Sequence, residues 1–581
     1  MTGKKNIEQE VAMVKPYRTV LDLATRSLML GVVFAILLAA VSGRLNAKEA
    51  ALPGLGKTTS GNYLVGRHAQ VLAKPEAAIV YYRSALKKNP DNIRLLRRIF
   101  TLLVAEGRVA EALPVAKRID AQSEENGNLA KMALALADIK AREFNQADAR
   151  LAKLPEVNLN AFSLPLIKAW VRVGQNRTDE ALKILSKKSS NQGVRALFGV
   201  HRALIAEFAG RNDVAEAAYK EAQKINKQPN LRLTLLFGTF YESTGQSEKA
   251  RALYDGYKKI NSSSVMFDSA YERLKTGKKP RPNVVSSVEG VGEALFSLSS
   301  AIRRQGVMET VIFARLAIFL KPDFTIARLL LAETLDSDKR YEDANRIYRA
   351  IAADPAYAWT ARLRIAGNLD AIDKSEEAVR ELRTMSDENV NRFDALYRLG
   401  NILRRRKKYK EATAAYAEAK DRIPNLLTQH WTLLYFNGIA HERLKQWPQA
   451  EAEFLKALEL RPDQALVLNY LGYSWVEQGQ NVEKARKMIE KAVKQRPRDG
   501  YIVDSLGWVL YRLGDLKGAV KQLERAVELK PEDPTINDHL GDIYWKVGRR
   551  NEARFQWERS LTLDPEKDMI PKIKKKLESG L

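Results

Sequence analysis

The chain has 581 residues, of which 96 are basic and 70 acidic, giving a formal charge of +26 at pH 7. It has no cysteine, which excludes disulfides, thiolate nucleophiles and cysteine-ligated metals. With 32 glycines, 20 prolines and 45% apolar residues it is a folded rather than a low-complexity chain, too long for one compact core. Such a charge favours anionic partners: a lipid surface, an envelope polymer or an acidic protein.

Residues 1–47 read as a targeting segment. Lys4, Lys5, Lys15, Arg18 and Arg26 precede an apolar run from Leu28 to Val41. That run suits a signal peptide or signal anchor and is short of a membrane span. Either reading places the remainder outside the cytoplasm, periplasmic or held at the inner membrane. Residues 48–58 read as a flexible tether. Gly56-Lys57-Thr58 lacks the preceding strand and glycine spacing of a phosphate-binding loop.

From Thr59 the chain repeats. Units start at Thr59, Ile93, Asn128, Phe162, Ala196 and Leu231, and again at Val291, Thr325, Trp359, Phe393, Trp431, Ala465, Gly500 and Pro534. The spacing is 34 or 35 residues except at the block boundary and in a 38-residue step to Trp431. In the last three units Leu-Gly recurs at Gly472, Gly507 and Gly541, a small residue follows at Ala485, Ala519 and Ala553, and Pro497, Pro531 and Pro565 close them. This is the tetratricopeptide (TPR) period of two antiparallel helices per unit. The mid-helix glycine costs about 1 kcal/mol against alanine, tolerable where a neighbouring helix must approach closely. The third and fourth units lack that glycine, and Pro165 is expected to interrupt the fourth. The expected fold is an all-α, right-handed TPR solenoid in two blocks, residues 59–275 and 291–565. A basic linker loop at 276–290 joins them, and residues 566–581 form a capping helix.

No catalytic constellation stands out, so no enzyme activity and no cofactor are expected. His68, His201, His430, His441 and His539 form no metal-binding spacing on one helix. The first helices of a TPR array face its concave side, with positions 2, 5, 9 and 12 pointing inward. In the last four units these include Tyr435, Asn469, Tyr473, Tyr501, Asp504, Trp508, Tyr511, Asp538, Asp542 and Trp545. Aromatic rings among Asn and Asp suit an extended peptide, the rings supplying area and the polar groups bonding its backbone. Trp508 and Tyr511 are spare of the packing positions held by Leu506, Gly507 and Leu510. Basic clusters at Arg94, Arg97 and Arg98, at Arg404–Lys408, and at Lys572–Lys576 fall near helix ends. There they complement helix dipoles or attract anions.

The runs Leu468-Asn469-Tyr470-Leu471-Gly472-Tyr473, Asp504-Ser505-Leu506-Gly507-Trp508 and Asp538-His539-Leu540-Gly541-Asp542 carry a resemblance. Residues 291–565 resemble exported bacterial TPR proteins, including envelope adaptors that bring substrates such as peptidoglycan hydrolases to carboxyl-terminal-processing proteases. The resemblance implies a non-catalytic periplasmic scaffold that binds proteins or peptides in its groove and presents them to an envelope protease. Those adaptors are usually lipoproteins, and a chain without cysteine cannot be anchored that way. A second reading is a structural envelope component binding anionic polymer or lipid through the basic clusters. A third is an accessory subunit of envelope polysaccharide assembly. Nucleic acid is not expected as a partner of an exported chain.

Overall fold

The computed structural model describes residues 55–56, 58–122, 127–186, 189–225, 229–261, 266–352 and 355–581. The segment read as a signal or anchor lies outside the described residues. The described residues form two compact units, one ending at Leu134 and one beginning at Ala135. All regular structure among the described residues is helical, and no described helix is long and apolar enough to cross a membrane.

In the first unit α1 (Thr59–Val71) pairs with α2 (Pro75–Leu86), and α3 (Ile93–Ala105) with α4 (Val109–Gln122). Helix α5 (Asn128–Lys140) spans the division. In the second unit follow α6 (Phe144–Ala152), α7 (Asn160–Gly174), α8 (Thr178–Leu185), α9 (Gln192–Phe208), α10 (Asn212–Ile225), α11 (Leu231–Ser243), α12 (Ser247–Ile260) and α13 (Asp268–Thr276). Next come α14 (Ser287–Ile302), α15 (Val307–Leu320), α16 (Thr325–Ser337), α17 (Tyr341–Ile351), α18 (Pro355–Ala371), α19 (Ser375–Glu388), α20 (Asp394–Arg405) and α21 (Tyr409–Asp421). A short 3-10 turn, Thr428–His430, leads into α22 (Trp431–Arg443) and α23 (Trp447–Leu460). Then come α24 (Ala465–Glu477), α25 (Val482–Gln495), α26 (Gly500–Arg512), α27 (Leu516–Leu529), α28 (Pro534–Lys546), α29 (Arg550–Thr562) and α30 (Met569–Ser579).

Glycine on the first helix and a large side chain on the second set the pair geometry. A Cβ on Gly400 would lie 2.5 Å from the Tyr416 ring, one on Gly438 2.6 Å from Phe454, and one on Gly541 2.5 Å from Trp557. All three rings are fully buried. The expectation that Pro165 breaks the fourth unit is corrected, because α7 runs through it from Asn160 to Gly174. Near a helix start proline forfeits one backbone hydrogen bond, and the burial of Leu164, Leu166, Ile167 and Trp170 outweighs that loss.

Helix α14 begins inside the stretch read as a linker, and it packs on α7 and α9. A Cβ on Gly290 would sit 2.2 Å from the Trp170 indole, so only glycine admits that ring. The Trp170 indole N–H donates to His201 Nδ1 at 3.2 Å, leaving His201 Nε2 to donate to Ser297 Oγ at 3.2 Å. Arg232 of α11 grips Glu293 with two hydrogen bonds of 2.7 and 2.6 Å. Burial alone would raise the Glu293 carboxyl, but the Arg232 guanidinium overrides it and holds it below its ordinary value. Asn283 donates to the Glu207 carboxylate at 3.1 Å and to the Leu236 carbonyl at 2.9 Å, tying down the stretch before α14. The face shared by α7, α9 and α11 is thus filled by the chain's own helix.

Substituting Gly290→Ala must displace the Trp170 ring, and overpacking of this kind costs about 1–3 kcal/mol. Gly367, mid-helix in α18, has nothing within 4 Å of a Cβ. Gly367→Ala is therefore expected to leave the thermal midpoint unchanged or raise it slightly, while Gly290→Ala lowers it by several degrees.

His201 is fully buried, and burial pushes its pKa down to about 4 from the ordinary 6.5, with Glu293 opposing and Arg232 assisting. A depressed pKa gives stability that is complete above pH 6.5 and is lost as pH falls toward 4. The loss is on the order of 3 kcal/mol for a shift of this size. His201→Gln keeps a donor and an acceptor without the titration. Melting curves between pH 7 and 4 should show the wild type losing stability relative to His201→Gln; parallel curves would contradict this.

Candidate functional site

The first helices of the second block contribute two neighbourhoods. One holds the ten residues read from the sequence as groove-lining. Tyr435 is buried among Trp431, Phe454 and Tyr470, with ring centroids 5.9 to 6.1 Å away, and burial pushes its hydroxyl up to about 12. Asn469 and Tyr473 are half-buried, and Asn469 Oδ1 meets no hydrogen-bond donor among the described residues. Tyr501 is exposed, its ring 5.7 Å from Lys530 Nζ. Trp508 and Tyr511 are half-buried with ring centroids 5.2 Å apart. Trp508 donates to Glu477 at 2.5 Å and stacks on His539 at 4.2 Å. Trp545 is covered by Arg550, 3.8 Å from its centroid.

The three acidic members are spoken for by the chain itself. Asp504 accepts from His539 Nδ1 at 2.9 Å. Burial disfavours the proton on His539, but Asp504 overcompensates and holds its pKa up at about 9. Asp538 and Asp542 accept from Lys576 of α30 at 2.8 Å each, and Asp542 also accepts the Trp557 indole N–H at 2.9 Å. These carboxylates fasten α28 to its neighbours, and of the aromatic members only Tyr501 is exposed.

The second neighbourhood is a cavity of about 480 Å³ lined by α18, α20 and α22, with Met266 from before α13 at its edge. Trp359, Leu363, Phe393 and Tyr397 supply apolar wall, and Asn401 and Thr432 supply polar groups. Asp394 accepts the Trp359 indole N–H at 2.9 Å and is paired with Arg392 at 2.5 Å, whose guanidinium lies 4.6 Å from the Trp359 ring. His430 packs edge-on to Phe393 at 5.3 Å and accepts the Leu427 backbone N–H, and burial lowers its pKa. Arg398 projects among these groups with no acidic partner at ion-pair distance among the described residues. Burial first, then the facing charge of Arg364, push its pKa below the ordinary value.

The sequence reading of the groove did not reach this cavity. Its signal was present: Arg364 and Arg398 occupy position 6 of consecutive units, 34 residues apart, beside an aromatic residue at position 1 of three units. Among the described residues no group of three or more metal-binding side chains exists.

Models of tetratricopeptide repeats match residues 73–135, 368–426, 437–500 and 535–567, and a TPR repeat model matches 507–548. A TPR repeat-containing protein of Pseudomonas aeruginosa is 37% identical over 87 residues, which span 15% of each chain. Among solved structures, the Cut9–Hcn1 hetero-tetramer of the APC/C aligns with 91% of this chain and 97% of its own, at 14% identity and a TM-score of 0.37. A tetratricopeptide repeat protein of Parabacteroides merdae aligns with 44% of this chain and 99% of its own, at 14% identity and a TM-score of 0.36. Repeat matches and paired helices agree: the chain contains tetratricopeptide repeats in these segments, and its described residues fold as an all-α succession of helix pairs.

Proposed function

We propose that this chain is a non-catalytic scaffold that binds protein or peptide partners along the first helices of its second block. The observation that carries the reading is the aromatic-walled cavity between α18, α20 and α22, an accessible concavity in the row of helices where repeat proteins offer their binding face. Tyr501, Trp508 and Tyr511 extend the accessible aromatic surface further along the chain. Rigid rings of this kind make interface anchors at low entropic cost. The face of α7, α9 and α11, filled by α14, is not available in the same way.

The basic n-region and apolar run before residue 47 support an exported location, periplasmic or anchored at the inner membrane. The resemblance of residues 291–565 to envelope adaptors supports presentation of substrates to a carboxyl-terminal-processing protease. Binding to an anionic envelope surface through the basic clusters is the competing reading. Part of that charge is already used: Arg405 and Arg406 both pair with Asp370, and Lys576 with Asp538 and Asp542.

Two changes to a quantitative affinity capture separate these readings. Capture through the groove should persist in about 1 M salt, where the Debye length is about 3 Å, whereas capture by surface charge should collapse. Tyr397→Ala should lose the same partners, weakening binding by about 1 kcal/mol or more, with little change in melting temperature. Partners retained by Tyr397→Ala but released by salt would contradict the groove reading.

A further inference from the structure

We propose that the cavity between α18, α20 and α22 is selective for a carboxylate on the bound peptide, received by Arg398 with Arg364 beside it. This rests on the groove reading above and specifies its ligand. Charge complementarity inside an aromatic-walled cavity favours such a ligand. Of the acidic groups near the cavity, Asp394 is taken by Arg392 and Trp359. Glu333 of α16 pairs with Arg303 at 2.9 Å and reaches Arg364 only at 3.6 Å. Asp336 attracts Arg398 without an ion-pair contact, and burial raises its own carboxyl. Burial lowers the pKa of His430, which disfavours its charged form.

Arg364 and Arg398 both line the cavity, and Arg398, with no ion pair among the described residues, holds an unspent planar fork of donors. A carboxylate matches that fork with two parallel hydrogen bonds, and such charge-assisted pairs are the strong ones. The burial of Arg398 strengthens them, because a buried charge is screened less than an exposed one. A volume of about 480 Å³ takes one or two side chains. It offers no extended row of cations for a polyanion, so an acidic peptide is favoured over a membrane or polymer. The carboxylate could belong to an acidic side chain or to a chain terminus.

The test uses the full chain and four fluorescein-labelled peptides. They are an alternating leucine–aspartate octapeptide and its leucine–asparagine counterpart, each with a free or an amidated C terminus. Fluorescence anisotropy should show at least one carboxylate-bearing peptide binding about tenfold or more tighter than the amidated asparagine peptide. A gain confined to the free-acid peptides assigns the terminus; a gain in the amidated aspartate peptide assigns a side chain. Arg398→Met should erase the preference and Arg398→Lys should retain part of it. The peptide arms decide the matter on the unaltered protein even if Arg398→Met fails to fold. Equal binding of all four peptides would overturn the carboxylate assignment while leaving the groove reading standing. A preference that survives in folded Arg398→Met would overturn it too. Binding of none of the four would overturn both. Arg398-dependent binding only to phosphatidylglycerol vesicles would replace the peptide with a lipid surface.

Discussion

The structure depends on one recurrent constraint, a side chain-free backbone position on one helix meeting a large buried side chain on the next. At Gly66 it is Tyr82, at Gly238 Tyr254, at Gly400 Tyr416 and at Gly541 Trp557, with the imagined Cβ 2.2 to 2.9 Å from the ring in each case. Glycine mid-helix costs about 1 kcal/mol, and burying a large ring returns more than that. The tyrosines add a polar anchor at the ring tip: Tyr254 donates to Glu242 at 2.6 Å and Tyr416 to Asn401 at 2.8 Å. Where this fit recurs it sets how closely the two helices of a pair approach.

The same device is used once at long range. Gly290 of α14 receives Trp170 of α7, and the buried Arg232–Glu293 pair and the Trp170–His201–Ser297 chain complete the seat. Part of a surface that repeat proteins commonly keep for partners is therefore committed to holding residues 135–581 together. A concavity remains between α18, α20 and α22. It combines apolar walls with guanidinium groups not fully neutralised, which is the pattern expected of a recognition surface rather than a core.

Helix pairs were legible because they are local. A 34-residue period with glycine, alanine and proline at fixed places dictates which turns meet within a unit. Helix starts were legible in the same way, as Asn92 and Asn230 each cap the helix that follows. The seat of α14 was not, because Arg232 and Glu293 are 61 residues apart and neither breaks a local pattern. What engages the positions read as groove-lining was not legible. Asp504, Asp538 and Asp542 fall at inward positions, yet His539 and Lys576 engage them, and only three-dimensional neighbours could reveal that. Trp508 falls between the two expectations. Its ring is stacked on buried His539, while its indole N–H reaches the exposed Glu477.

A buried charge pair locks α14 to α11, and the neighbouring face is thereby filled. A double-mutant cycle on Arg232→Met and Glu293→Met, read by chemical denaturation, tests this most directly. Removing either partner alone strands a buried charge and should cost roughly 3–5 kcal/mol. Removing both should recover much of that loss, leaving a coupling energy of about 2 kcal/mol or more. Additive losses, with no coupling, would show that the two side chains do not meet and would contradict the account.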